Sequence, residues 1–213
     1  MEESKLITRL KEICQSEIKE KLGLAWKELK DEDLNKIHFS DAKIKIVKRE
    51  GLASDNYKII EITQWESEVQ KECVLLGFNP TNTDIEEIDN TNKKIIKLLK
   101  NEYNKVILLN YHIQKTKDKE DFSDDDKDIE LYQPILPELL NTVLDNNTDL
   151  LVFWGRTVSF SEELKLILFK FLDKGKLLIT VKKGEDKHYH PARIKADFRK
   201  AKKDDFLSTN SIQ

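Results

Sequence analysis

Four short apolar runs, each followed by polar or small residues, most constrain the fold of this chain. Continuous apolar runs of this length are typical of strands buried on both faces, and helical periods separate them. The alternation predicts an α/β domain whose mainly parallel sheet is covered by helices on both faces. The predicted strands are Cys73–Leu76, Lys105–Leu109, Leu150–Trp154 and Leu177–Val181. The predicted helices are Asn90–Glu102, Leu131–Leu144, Ser161–Leu172 and a last one near Ala196–Phe206.

The first 50 residues follow a different pattern. Residues 4–22 place apolar side chains at helical spacing up to Gly23, and Ala42–Val47 alternates like a half-exposed strand. A second strand is predicted at Tyr57–Ile62. We therefore predict a helical and strand extension over residues 1–50, packed on the core, and an α/β domain over residues 51–213.

Composition narrows the class of protein. No apolar run approaches the roughly 20 residues needed to cross a bilayer, and the start of the chain does not resemble a secretory signal. Cys14 and Cys73 are too few and too far apart for a disulfide framework or a zinc site. These features predict a cytoplasmic protein with no membrane association, and we expect it to be a monomer.

Charge is unevenly distributed along the chain. The net charge is −3, but the segment from Lys182 to Lys203 carries nine basic and three acidic residues, a balance of +6. One interpretation is a solvated C-terminal helix, and the other is a surface that binds phosphates. The stretch from Asp118 to Glu130 is acidic and cannot face phosphates. It predicts an exposed loop, with a metal site as an alternative that no histidine supports.

The polar tails of the four strands suggest one shared site. Because parallel strands end at the same edge of a sheet, their tails can converge although they lie far apart in sequence. Each tail also has a simpler interpretation, in which Asn110 only caps a turn and Gly155 only ends a strand. The tails are Gly77-Phe78-Asn79-Pro80-Thr81, Asn110-Tyr111-His112, Gly155-Arg156-Thr157, and the later His188 and His190-Pro191.

The order of these motifs resembles the uracil-DNA glycosylase superfamily. The resemblance rests on Gly77-Phe78-Asn79-Pro80, Ile107-Leu108-Leu109-Asn110, Val152-Phe153-Trp154-Gly155 and His190-Pro191. Residues 72–194 also resemble uncharacterised bacterial and phage proteins that share an Asn-Pro-Ser/Thr, an Asp-x-Thr (here Asp89-Asn90-Thr91), a Trp-Gly and a His-Pro. The resemblance implies a three-layer α/β sandwich around a central, mainly parallel four-stranded sheet.

The resemblance also implies roles for individual residues. Asn79 would orient the attacking water, and His190 would stabilise negative charge on the leaving base. Ile194 would be a wedge that fills the space left by a flipped nucleotide. The implied base-binding residues are Gly77, Phe78, Pro80, Thr81, Asn110, which would read the base edge, and Tyr111. The implied DNA-binding residues are Arg156, His188, Pro191, Ala192, Arg193, Ile194 and Lys195.

Two departures from the superfamily pattern bear on the substrate. Thr81 stands where the uracil-specific branch has a tyrosine that excludes 5-substituted bases, so the resemblance implies more room at C5. Ala192 replaces a serine that contacts phosphate. The implied activity is a DNA glycosylase without metal or cofactor that excises uracil or a C5-modified pyrimidine, such as a modified phage base in antiviral defence. The alternatives are a non-catalytic nucleic-acid or nucleotide-binding module and a nucleotide hydrolase.

Overall fold

The computed structural model describes residues 4–14, 17–34, 44–80, 82–115, 128–153, 161–182 and 196–207. In these parts of the chain the strands form one mixed sheet in the order β1-β2-β3-β5-β4-β6-β7-β8. The strands are β1 Ala25–Glu28, β2 Ile46–Ala53, β3 Lys58–Trp65, β4 Glu72–Gly77, β5 Lys105–Asn110, β6 Asp149–Val152, β7 Leu177–Lys182 and β8 Ala196–Lys200. The helices are α1 Lys5–Cys14, α2 Glu17–Lys21, α3 Asp31–Leu34, α4 Asn90–Leu99, α5 Leu136–Asp145, α6 Glu162–Asp173 and α7 Asp204–Leu207.

The fold is α/β as predicted, but the predicted four-stranded, mainly parallel sheet is wrong. In the described residues the sheet has eight strands, and four of its seven pairings are antiparallel. The four strands predicted from apolar runs are β4 to β7, which are parallel to one another in the order β5-β4-β6-β7. Antiparallel strands extend this group on both sides. The strand predicted at Tyr57–Ile62 corresponds to β3, whereas the one predicted at Ala42–Val47 overlaps β2 only at Ile46 and Val47, because Lys48, Arg49 and Glu50 interrupt the apolar pattern.

The N-terminal part of the chain contributes directly to the sheet. The boundary predicted at residue 50 falls inside β2, and β1 pairs with β2 from Ala25 to Glu28. Trp26 lies in β1. The last predicted helix is also wrong, because residues 196–200 form the antiparallel edge strand β8 and α7 is only one short turn.

Helices cover both faces of the sheet. The helices α1, α5 and α6 pack on one face, around Leu76, Leu109 and Val152. Helix α4 packs on the other face, around Leu75, Leu108 and Leu151, and we call this the α4 face. No helix in the described ranges is long and apolar enough to cross a membrane.

Local sequence explains where these helices begin. Asp89 caps α4, because its carboxylate accepts a hydrogen bond from the Asn92 amide at 2.7 Å. Ser161 caps α6 in the same way through the Leu164 amide at 3.2 Å. The cap at Asp89 fixes the end of the segment that leads from the β4 strand end to α4.

Candidate functional site

Two of the predicted strand tails meet at the carboxyl edge of the sheet. Gly77 and Asn110 are register partners at the ends of β4 and β5. The contact continues beyond both strands, since the Tyr111 amide donates to the Gly77 carbonyl at 2.9 Å and the His112 amide donates to the Phe78 carbonyl at 2.8 Å. The two tails therefore run side by side.

Gly77 is required by the close approach of two neighbouring side chains. A Cβ atom at this position would lie 2.8 Å from Oδ1 of Asn110 and 2.9 Å from the ring Cζ of Phe153. Both distances are shorter than real Cβ contacts allow. Gly77, Asn110 and Phe153, at the ends of three adjacent strands, thus pack closely together at the carboxyl edge, and we call them the strand-end group. Phe153 was not among the predicted site residues.

The Asn110 side chain carries an unused donor within this group. Asn110 is 2% exposed, and among the described residues its Nδ2 has no hydrogen-bond acceptor. The backbone is held firmly, because the buried Tyr132 hydroxyl donates to the Asn110 carbonyl at 2.6 Å. A buried polar atom without a partner is uncommon in proteins and calls for an explanation, such as a bound ligand or water.

Three aromatic rings lie beside the strand-end group. Phe78 stacks on Tyr111 with ring centroids 6.3 Å apart and meets the edge of His112 at 5.1 Å. Tyr111 and His112 are 4.7 Å apart in a T-shaped arrangement. The Gln133 side chain donates to the Tyr111 carbonyl at 2.6 Å and so holds this tail in place. All three rings are half-buried, so each keeps some surface accessible.

Asn79 lies at the same edge and is half-buried beside the buried Pro80. Its Nδ2 donates to the Pro80 carbonyl over a long 3.4 Å. The described structure thus brings together Gly77, Phe78, Asn79, Pro80, Asn110 and Tyr111. The other predicted site residues lie outside the described residues: Thr81, Arg156, His188, His190, Pro191, Ala192, Arg193, Ile194 and Lys195.

A cluster of buried charges on the α4 face was missed from the sequence. Arg49, Lys58 and Glu61 are 0%, 2% and 3% exposed. The Glu61 carboxylate receives Nη2 of Arg49 at 2.8 Å on one oxygen and Nζ of Lys58 at 2.7 Å on the other. Burial alone would raise the pKa of Glu61, but Lys58 and Arg49 outweigh it and hold that pKa below its usual value. The sequence did contain one indication of this cluster, because the charged residues Lys58 and Glu61 flank the apolar pair Ile59-Ile60.

The segment 82–89, which we call the connecting loop, covers this cluster. Nη2 of Arg49 also donates to the Glu87 carbonyl at 2.8 Å, and the Thr83 hydroxyl donates to the Asp55 carbonyl at 2.9 Å. Ile85 packs over Gly51, where a Cβ would lie 3.1 Å from Cγ2 of Ile85. The connecting loop is therefore attached to β2 and to the hairpin between β2 and β3.

The opposite, amino edge of the parallel strands holds a cleft of about 500 Å³, lined largely by amide and charged side chains. Two buried side chains of this cleft, Asp149 and Asn104, already have partners. Asp149 receives Nζ of Lys71 at 2.6 Å and the Tyr103 hydroxyl at 2.8 Å, and Asn104 bonds to the Lys71 amide at 3.0 Å. Burial alone would raise the pKa of Asp149, yet Lys71 and Tyr103 hold it below its usual value. Within the described ranges, no three His, Cys, Asp or Glu side chains come together as a metal site requires.

Comparison with known proteins gives one match. The sequence profile of the family DUF1643, described as a protein of unknown function, matches residues 62–192, which is more than half of the chain. No curated protein and no solved structure matches it. The match begins in β3 and includes the tails that follow β4 and β5. The chain therefore belongs to the DUF1643 family.

Proposed function

We propose that this protein is a DNA glycosylase that flips and excises uracil or a C5-modified pyrimidine and leaves an abasic site. The proposal draws on the resemblance of four motifs to the uracil-DNA glycosylase superfamily. It is supported by the position of Asn79 and Asn110, which come from different motifs and lie at the same edge of adjacent parallel strands. Ligand sites in α/β sheets are found at this edge.

The observation that carries the proposal is the unused donor of Asn110 beside Gly77. A buried donor without an acceptor costs about 1–3 kcal/mol, and a ligand carbonyl that accepts from it removes this cost. Pyrimidine bases carry such carbonyls on a flat ring. The aromatic cluster of Phe78, Tyr111 and His112 offers π-faces and edges for stacking next to the strand-end group.

The proposed chemistry divides the work between two residues. An amide cannot act as a general base, so Asn79 orients the attacking water through its carbonyl oxygen. His190 donates a hydrogen bond to the base as negative charge develops on it, and losing such a donor typically slows a reaction about 100- to 1000-fold. Thr81, smaller than the tyrosine of the uracil-specific branch, leaves room for a substituent at C5.

The basic segment around His190 supplies the proposed DNA contacts. Arg156, His188, Arg193 and Lys195 would bind phosphates, and Ile194 would enter the duplex as the base leaves it. A protein that removes a modified phage base would act in the cytoplasm, where the infecting DNA replicates. Antiviral defence is therefore the cellular role that we propose.

The test is base release from defined DNA. Duplexes containing uracil, a thymine mismatch, hydroxymethylcytosine or glucosylated hydroxymethylcytosine are incubated with the protein, and alkali then cleaves any abasic sites. We expect cleavage of at least one duplex, lost in Asn79→Ala and His190→Ala and reduced in Asn110→Ala. Asn101→Ala is the matched control, because Asn101 is exposed on the turn after α4.

The outcomes separate the candidate functions. Release of uracil without release of any modified base would contradict the role proposed for Thr81. DNA binding by the wild-type protein with no product from any duplex would contradict the glycosylase and support the non-catalytic binding module. Product formation that survives both Asn79→Ala and His190→Ala would place the chemistry elsewhere.

A further inference from the structure

Burying the charged side chains of Arg49, Lys58 and Glu61 costs desolvation free energy, so they stabilise the fold inefficiently. Their total is one positive charge inside the protein, and Nε and Nη1 of Arg49 have no hydrogen-bond partner among the described residues. Apolar residues of similar volume often stabilise a protein as well as a buried ion pair does. What the ion pair adds is direction, since its hydrogen bonds fix the position of each partner.

Arg49 uses this directionality to join the sheet to the connecting loop. Nη2 of Arg49 donates at 2.8 Å both to the Glu61 carboxylate and to the Glu87 carbonyl. Glu61 is held from its other side by Lys58. The Arg49 guanidinium therefore has one defined position, and Glu87 is bonded to it.

The connecting loop in turn determines where the Asn79 segment can lie. Before Asn79, the carbonyls of Gly77 and Phe78 are bonded to the tail of β5. After residue 81, Thr83 is bonded to Asp55 and Glu87 to Arg49. Asn79 and Pro80 lie in the short stretch between these two sets of bonds, so a shift of the connecting loop is transmitted to them.

We propose that Arg49, held by Glu61, is a positioning residue for Asn79, acting through the connecting loop. The catalytic consequence of Arg49 rests on the proposed glycosylase activity. Its effect on the position of the Asn79 segment does not. Arg49, on β2, is separated from β4, which Asn79 follows, by β3 and β5 in the sheet order, so it acts through the loop and makes no contact with the base.

The first test is hydrogen–deuterium exchange of the intact protein. Arg49→Lys and Arg49→Met should speed exchange in peptides covering residues 78–89 by about 10- to 100-fold, as expected for losing a charged hydrogen bond. Thr83→Val removes the second attachment with little change in volume, and we expect a smaller effect in the same peptides. Lys48→Met is the control, because Lys48 is also on β2 but pairs with Glu50, 2.9 Å away.

The second test uses single-turnover base excision at saturating DNA. Arg49→Lys should lower the excision rate about 10- to 100-fold while the Kd for DNA stays within about twofold, because a misplaced water slows only the chemistry. If wild type excises no base, the proposed function fails while the exchange experiment still decides the positioning role. Unchanged exchange at 78–89, or equally faster exchange throughout the protein, would overturn the inference. A loss of DNA affinity equal to the loss of excision rate would also overturn the inference.

Discussion

Glu61→Gln should destabilise the protein more than any single change of a surface charge. The carboxylate is 3% exposed and bonds to two buried cations, which the amide cannot neutralise. Removing one partner of a buried ion pair typically costs about 3–5 kcal/mol, because the charge left behind stays buried. In a protein of this size each kcal/mol lowers Tm by about 2–4 °C, so we expect Tm to fall by about 6–20 °C.

The effect should also depend on pH in a defined direction. The pKa of Glu61 is lowered in the folded protein, so its stabilising contribution is present above the unfolded pKa and is lost as pH falls through the folded pKa. Glu61→Gln has no such group to protonate. The difference in unfolding free energy between wild type and variant should therefore be largest near neutral pH and shrink below the usual glutamate pKa of about 4.3.

Urea unfolding followed by circular dichroism at several pH values measures this difference. Two control variants test whether the loss of stability is specific to the buried carboxylate. Lys58→Met leaves Arg49 and Glu61 as a neutral pair and should cost less than Glu61→Gln. Glu66→Gln removes an exposed carboxylate, 3.8 Å from Nζ of Lys45, and should change stability by less than about 1 kcal/mol. The reasoning is refuted if Glu61→Gln costs no more than Lys58→Met, or if its cost does not change between neutral and acid pH.

Three further predictions concern Gly77, Tyr132 and the two cysteines. Gly77→Ala should cost about 1–3 kcal/mol in urea unfolding and abolish any base binding, because its Cβ would meet Asn110 and Phe153; unchanged stability would contradict the observed packing. Tyr132→Phe should cost about 1–3 kcal/mol by the same measurement, since it removes the donor to the buried Asn110 carbonyl, and a cost below 0.5 kcal/mol, about the scatter of neutral surface changes, would argue against that bond. Burial raises the pKa of Cys14 to about 12, so Cys14 and Cys73 should react with a thiol reagent at pH 8 only after urea is added; rapid labelling of native protein would show that they are accessible.

The four strands β4 to β7 could be predicted because each is buried on both faces and so is apolar throughout. β3 was predicted as the strand Tyr57–Ile62, but β1 and most of β2 could not be predicted from apolar runs. β1 is a short, largely exposed strand, and β2 contains charged residues such as Arg49, whose partner Glu61 is on the neighbouring strand. β8 shows the same difficulty, because the charged sequence from Asp197 to Lys200 is compatible with a solvated helix and only its pairing with β7 makes it a strand.

Site residues divide in the same way. Gly77 and Asn110 were found because each directly follows an apolar run, and parallel pairing then makes them neighbours. Phe153 was read only as part of the strand Leu150–Trp154, and nothing in the sequence indicates that its ring packs against Gly77. The Arg49–Glu61 contact joins residues of two antiparallel strands with shifted register, and such a contact depends on a register that local patterns do not specify.

The two edges of the parallel strands differ in how far their buried polar groups are satisfied. At the amino edge, in the cleft of about 500 Å³, Asp149 and Asn104 already bond to neighbouring side chains and backbone. At the carboxyl edge, Asn110 of the strand-end group keeps a buried donor without an acceptor among the described residues. A satisfied network loses hydrogen bonds when a polar ligand enters, whereas an unsatisfied donor gains one. We therefore expect a ligand carbonyl to bind more favourably at Asn110 than in the amino-edge cleft.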